Sequence, residues 1–147
     1  MLWNIGAGRM LKRWKPNKTL AFGMDVSPDG RTLATGGGDQ LVHLWDIRTQ
    51  ERLATLKGHL NEIWSIAFSP DGQALASASK DGSVKLWSTA LKPTAHILTN
   101  SLHPVWFSAD GKSLFTSTVA RDLQLWDVPT GRLVRTLTIP LHDPNKS

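Results

Sequence analysis

Residues 63–68 read Ile-Trp-Ser-Ile-Ala-Phe. Large apolar side chains at every second position mark an extended strand, with Trp64, Ile66 and Phe68 on one side and the small Ser65 and Ala67 on the other. Both sides are apolar enough for a strand covered on two faces. Ser69-Pro70-Asp71-Gly72 follows and reads as a tight turn: Pro presets φ, Asp bonds its own backbone and Gly accepts positive φ. A second strand is expected from Ala74 to Ser79, where Ala and Ser let another sheet approach closely. Lys80-Asp81-Gly82 signals a short hairpin into a third strand, Ser83 to Trp87. A looser loop precedes a fourth strand, which in the preceding stretch reads Arg52-Leu53-Ala54-Thr55-Leu56. No window favours a helix.

The same punctuation recurs along the chain. Ser-Pro-Asp-Gly stands at 27–30 and 69–72, and Ser-Ala-Asp-Gly at 108–111. Leu44-Trp45-Asp46, Leu86-Trp87-Ser88 and Leu125-Trp126-Asp127 keep the same phase, both markers advancing by 42 and then 39 residues. A three-residue deletion therefore lies between Trp87 and Ser108. Counting 42 back from Leu44 lands on Leu2, so Leu2-Trp3-Asn4 corresponds to the tail of an earlier repeat whose front is absent. Four short antiparallel strands per roughly 40 residues make a propeller blade, a unit that finds cover for its faces only in its neighbours.

Composition adds limits. The chain has 147 residues, 40% of them hydrophobic, which suffices for a packed core. It has no cysteine, so disulfides and thiolate metal sites are excluded and the redox compartment stays open; a cytoplasmic setting is the default expectation. No apolar run is long enough for a membrane-spanning helix or a secretory signal. The net charge of +5 is local: residues 1–24 hold five basic side chains and no acidic one, and the remainder sums to zero. A nucleic-acid-gripping arm is one reading of that segment. A solvated edge is favoured, because no aromatic ladder or helix-turn-helix pattern accompanies it.

The middle repeat, Gly58-His59 followed by IWSIAFSPDGQALASASKDGSVKLWS, resembles the WD-repeat β-propeller family through all its punctuating positions. The resemblance covers nearly the whole chain. It implies an all-β, partial β-propeller of about three and a half four-stranded antiparallel blades in an open arc. Residues 1–14 would be the outer two strands of an incomplete blade, residues 21–56, 63–98 and 103–138 three full blades, and 139–147 a tail. It also implies a hydrogen-bonded structural tetrad, which maps to His59, Ser77 (or Ser79), Asp81 and Trp87. The first blade keeps Thr35, Asp39 and Trp45 but has Asn17 at the histidine position. The third keeps Thr116 and Trp126, carries Ala120 at the aspartate position and places Pro104 in its innermost strand, where a missing donor favours irregularity.

Ser, His and Asp in one blade invite a catalytic reading, but a hydrolytic triad needs a serine open to substrate and donors aimed at an oxyanion. No catalytic residue is assigned, and no cofactor. His43, His96, His103 and His142 are scattered without carboxylates at metal-ligand spacing, so no metal site is expected. Gly36-Gly37-Gly38 lacks the Lys and helix start of a phosphate cradle. The resemblance instead implies a scaffold for a protein or peptide partner, as one part of a larger propeller. In it the residue entering the innermost strand faces the channel mouth, which here is Phe22, Trp64 or His103, with Lys80 beside them. Trp64 either anchors a partner there or packs between blades. Two alternatives stand beside this. One is a propeller enzyme whose site lies largely outside this segment, since Asp25 and His103 are all the ionisable groups its innermost strands offer. The other is self-association through open blade faces.

Overall fold

A computed structural model describes residues 2–4, 9–12, 19–89, 95–99, 102–118 and 120–138, with side chains described from residue 19 onward except at 95, 96, 99 and 102–104. The described residues contain strands and turns and no helix. Strands β1 (Leu2–Asn4) and β2 (Arg9–Lys12) form a two-stranded antiparallel sheet. The first four-stranded sheet contains β3 (Ala21–Val26), β4 (Thr32–Gly37), β5 (Val42–Asp46) and β6 (Arg52–Leu56). The second contains β7 (Ile63–Phe68), β8 (Ala74–Ser79), β9 (Ser83–Ser88) and β10 (Ala95–Thr99). The third contains β11 (Leu102–Phe107), β12 (Ser113–Ser117), β13 (Leu123–Asp127) and β14 (Arg132–Leu137). Each is an antiparallel meander in chain order, and the three form an open stack rather than a closed barrel.

Residues opposite one another across an antiparallel ladder share a face, so the register divides each sheet into two sides. The tryptophan side, here the front, carries Val26, Leu33 and Trp45 in line in the first sheet, and Phe68, Leu75 and Trp87 in the second. The back carries Asp25, Ala34 and Leu44, then Ala67, Ala76 and Leu86. Fronts pack on backs. Ile66, Phe68, Leu75 and Trp87 are buried against Ala34, Val42 and Leu56 of the first sheet. Val105, Leu114 and Trp126 repeat the contact against Ala76, Ala78, Val84 and Leu98 of the second. Full burial of each large side chain contributes about 1.5–3 kcal/mol.

The inner strands come closest: β3 and β4 lie against β7, and β11 against β7 and β8. Small residues on the back permit this. A Cβ added to Gly36 would stand 2.7 Å from Cγ2 of Ile63. Asp25 ties the sheets together, its Oδ2 accepting the Phe68 N–H at 2.7 Å. The carboxylate that the sequence placed among the channel's ionisable groups is thus engaged between blades.

Each SxDG turn is closed the same way, with the Ser hydroxyl donating to the Asp Oδ1 and the same oxygen accepting the N–H two residues on. In the third sheet the β11–β12 register shifts between Leu102 and Trp106, the interval containing Pro104. A proline donates no ladder hydrogen bond.

Candidate functional site

His59 lies in the connection between β6 and β7, and Asp81 in the hairpin between β8 and β9; their side chains are 1% and 9% exposed. Gly58 precedes His59 with φ of 152°, a backbone conformation that strains a residue with a side chain; a Cβ on it would only touch the Trp87 ring, at 3.4 Å. Four groups meet here. Trp87 Nε1 donates to Ser77 Oγ at 2.8 Å, Ser77 Oγ stands 2.8 Å from His59 Nε2, and His59 Nδ1 stands 2.9 Å from Asp81 Oδ2. Asp81 Oδ2 also accepts the Leu60 N–H, and its Oδ1 accepts the Ser83 hydroxyl and N–H. Ser79 is engaged elsewhere, donating to the Asn61 carbonyl.

One proton arrangement satisfies every member. A carboxylate only accepts, so His59 Nδ1–H donates to Asp81; Nε2 then accepts from the Ser77 hydroxyl, whose oxygen accepts the indole N–H. Protonating His59 would aim two N–H groups at Ser77 Oγ and leave the serine proton without an acceptor. Burial likewise disfavours the cation and holds the His59 pKa below 6.5, against the opposing pull of Asp81. For Asp81, burial disfavours the charge, but hydrogen bonds from the Ser83 hydroxyl, the Leu60 N–H and His59 outweigh it and bring the pKa to about 2. Ser77 is 0% exposed, so its oxygen cannot meet a substrate. The arrangement is a relay of buried hydrogen bonds, not a nucleophile.

The other two sheets keep the indole bond and change the rest. Trp45 Nε1 donates to Thr35 Oγ1 at 3.0 Å and Trp126 Nε1 to Thr116 Oγ1 at 2.9 Å. In the first sheet His43 takes up the hairpin aspartate: its Nε2 is 2.8 Å from Asp39 Oδ2 and its Nδ1 3.2 Å from Thr55 Oγ1. In the third, Thr116 donates to Gln124 Oε1. His43, Lys85 and Gln124 hold the same register position, opposite Thr35, Ser77 and Thr116, and all three are buried. The sequence reading missed this position, since its signal is three unlike polar residues one hairpin length from the aspartate. Asn17 lies outside the described residues.

The exposed part of the site is the rim beside the relay. The inner ladder slips at the same place in two sheets, between Ala21 and Gly23 and between Ile63 and Ser65, so Phe22 and Trp64 are bulge residues. A bulge re-aims a side chain out of the two-face pattern. This corrects the alternation expected for 63–68: Ile63 joins Ile66 and Phe68 in the core, and Trp64 leaves it half-buried at the surface. Trp64 Nε1 donates to Glu62 Oε2 at 3.3 Å, and Lys80 Nζ lies 5.8 Å from the Trp64 ring and 3.9 Å from the same carboxylate. Leu60 next to them is 81% exposed and Phe22 48%. The loop carrying Leu60 and Glu62 is pinned to the β8–β9 hairpin by Leu60 N–H on Asp81, Ser79 on the Asn61 carbonyl and Lys80 N–H on the Glu62 carbonyl. His103 lies within β11, and its side chain is outside those described.

Three wedge-like sheets, each with an indole-to-hydroxyl bond and fronts stacked on backs, are a repeat architecture. A family model, the WD domain, G-beta repeat, matches residues 11–46 and 50–88. The chain belongs to the WD-repeat family. Among curated relatives, this WD-repeat chain is similar to protein tipD of Dictyostelium discoideum, 33% identical over 86% of the chain and 21% of tipD. It is also similar to the U3 snoRNP-associated protein-like YAO of Arabidopsis thaliana, 45% identical over 35% of the chain and 10% of that protein. The general transcriptional corepressor TUP1 of Saccharomyces cerevisiae is 45% identical over 26% of the chain and 5% of TUP1. The WD-repeat chain therefore spans about a fifth or less of the length of these relatives. Among its described residues, no three His, Asp or Glu side chains are grouped to hold a metal ion.

Proposed function

We propose that the chain is a protein-interaction scaffold, one arc of a WD-repeat propeller, whose blades correspond to residues 21–56, 63–98 and 103–138. The observation that carries this reading is the rim of the second blade, where Trp64, Lys80 and Leu60 present aromatic, cationic and aliphatic surface from a strand, a hairpin and a loop, the last tied to the buried relay. A rigid aromatic anchor that is already ordered loses little freedom on binding. The partner is a protein or peptide segment offering an apolar residue to Trp64 and Leu60 and a carboxylate to Lys80.

The test is selection of binders from a random peptide library against the full chain, followed by Trp64→Ala and Lys80→Glu variants with unchanged near-UV circular dichroism. Selected peptides are expected to carry an acidic residue beside an aromatic or aliphatic one, and to lose at least tenfold in affinity to Trp64→Ala, about 1.4 kcal/mol. Binders indifferent to both substitutions would refute the rim as the site.

A further inference from the structure

In both contacts between blades, the bulk comes from the front face. Phe68 shares a core cluster with Ala34 while its N–H bonds Asp25, and Phe107 packs against the cluster that holds Ala76. The two outer faces of the arc reverse this. On the front of blade 1, Val26 holds the register position of Phe68 and Phe107. On the back of blade 3, Trp106 stands where blades 1 and 2 have Asp25 and Ala67, and Phe115 where they have Ala34 and Ala76. Trp106 and Phe115 stack at 5.7 Å with their planes 12° apart. Trp106 is 40% exposed, Val26 45% and Met24 61%. The volume missing from one end of the chain is present at the other.

Charge follows the same logic. Ala54 on the back of blade 1 borders a cleft of about 540 Å³ whose opposite wall includes Asp71 and Ser88 of blade 2. Blade 3 carries Arg135 at the position of Ala54, and blade 1 carries Asp29 and Asp46 at the positions of Asp71 and Ser88. If the same cleft formed between the back of blade 3 and another copy's blade 1, Arg135 would border the turn carboxylates Asp29 and Asp46 at the end of that blade. The turns stack in the same way: a Cβ added at Gly72 would stand 3.4 Å from Pro28 and one at Gly111 3.5 Å from Pro70, whereas nothing lies within 4 Å of a Cβ at Gly30, which continued stacking would place against Ala109.

We propose that a second copy of this chain covers the back of blade 3, presenting the front of its own blade 1 in a head-to-tail contact that continues the internal stacking. Met24 and Val26 of one copy receive Trp106 and Phe115 of the other, and Arg135 enters between Asp29 and Asp46. A face that meets a different face, rather than itself, makes a heterologous interface that grows until it closes. By repeat order β1 and β2 hold the outer half of the same front. They contact chiefly one another, so the incoming blade displaces them. This inference is independent of the rim and rests on blade stacking alone.

Sedimentation velocity and light scattering of the full chain across a concentration series test it. Defined oligomers are expected, weaker at high salt because Arg135 contributes. Trp106→Ala and Val26→Phe each weaken association about tenfold or more, by an unfilled gap and by overpacking respectively. The double variant recovers most of the loss, because it restores the front-bulky arrangement of the internal contacts. The natural absence of cysteine permits a second measurement that needs no weakened variant. Chains bearing Ala109→Cys mixed with chains bearing Arg31→Cys should cross-link through a short bismaleimide, while either variant alone should give little product. A monomer at every concentration overturns the proposal. So does an assembly that both single variants leave intact, or a double variant no better than the worse single one.

Discussion

The first and second blades solve one packing problem with histidines that enter from different directions. In the second, His59 lies 18 and 22 residues from Ser77 and Asp81, so its bonds fasten an inter-blade connection onto the sheet. In the first, His43 lies 4 residues from Asp39 and 12 from Thr55, so its bonds hold only a hairpin to its outer strand. The same residue types thus yield a tied loop in one place and a stiffened turn in the other. What distinguishes the two blades here is the sequence distance that the hydrogen bonds span.

The largest expected separation between the two blades comes from the indoles. Trp87→Ala removes a side chain 6% exposed between two sheets and should cost about 3–5 kcal/mol in urea unfolding, whereas Trp45→Ala, at the half-buried outer front, should cost less than half of that. Next come the aspartates. Asp81→Ala strands the Nδ1–H of a buried histidine and the Leu60 N–H, and is expected to cost about 2–3 kcal/mol and to speed hydrogen exchange at Leu60–Glu62. Asp39→Ala should cost about 1 kcal/mol and leave exchange at those amides unchanged.

Acid sharpens the comparison further. The His59 pKa is depressed on folding, so the unfolded chain binds the proton more readily. Its contribution is complete above the unfolded value of 6.5 and declines as pH falls below it. Asp81, depressed from 3.8 to about 2, adds a second loss as pH falls from about 4 toward 2. Stability of the chain measured from pH 8 to pH 4 should therefore fall, and His59→Gln should flatten that slope while His43→Gln preserves its His59-dependent part. The smallest effect is expected at Asp25, where Asp25→Ala removes one inter-blade bond to the Phe68 N–H and should cost about 0.5–1 kcal/mol, read as a lower urea midpoint.

Much of this was legible because it is local. The SxDG turns and the hairpin at Lys80-Asp81-Gly82 announce themselves within four residues, and repetition at 42 and 39 turns weak signals into a fold. Ser77 rather than Ser79 as the indole's partner needed the register, since both point to the same face of a strand two residues apart. Trp64 needed it more. Period-two alternation places it in phase with Ile66 and Phe68, and one inserted residue breaks that phase. The partners of Asp25 and the Thr55 contact of His43 were illegible for a different reason: each is brought near by pairing or stacking, Asp25 acting on an amide 43 residues away and His43 on a hydroxyl 12 residues away. Such contacts leave no mark in a window of ten residues.

The repeated slip in the inner ladder has a consequence for how such a chain acquires new preferences. Each slip withdraws one side chain from both stacked faces, so phenylalanine at 22 and tryptophan at 64 share an address without sharing a packing duty. Replacing the occupant of that address changes what the inner edge of the blade displays, and the stacked faces behind it keep their fit.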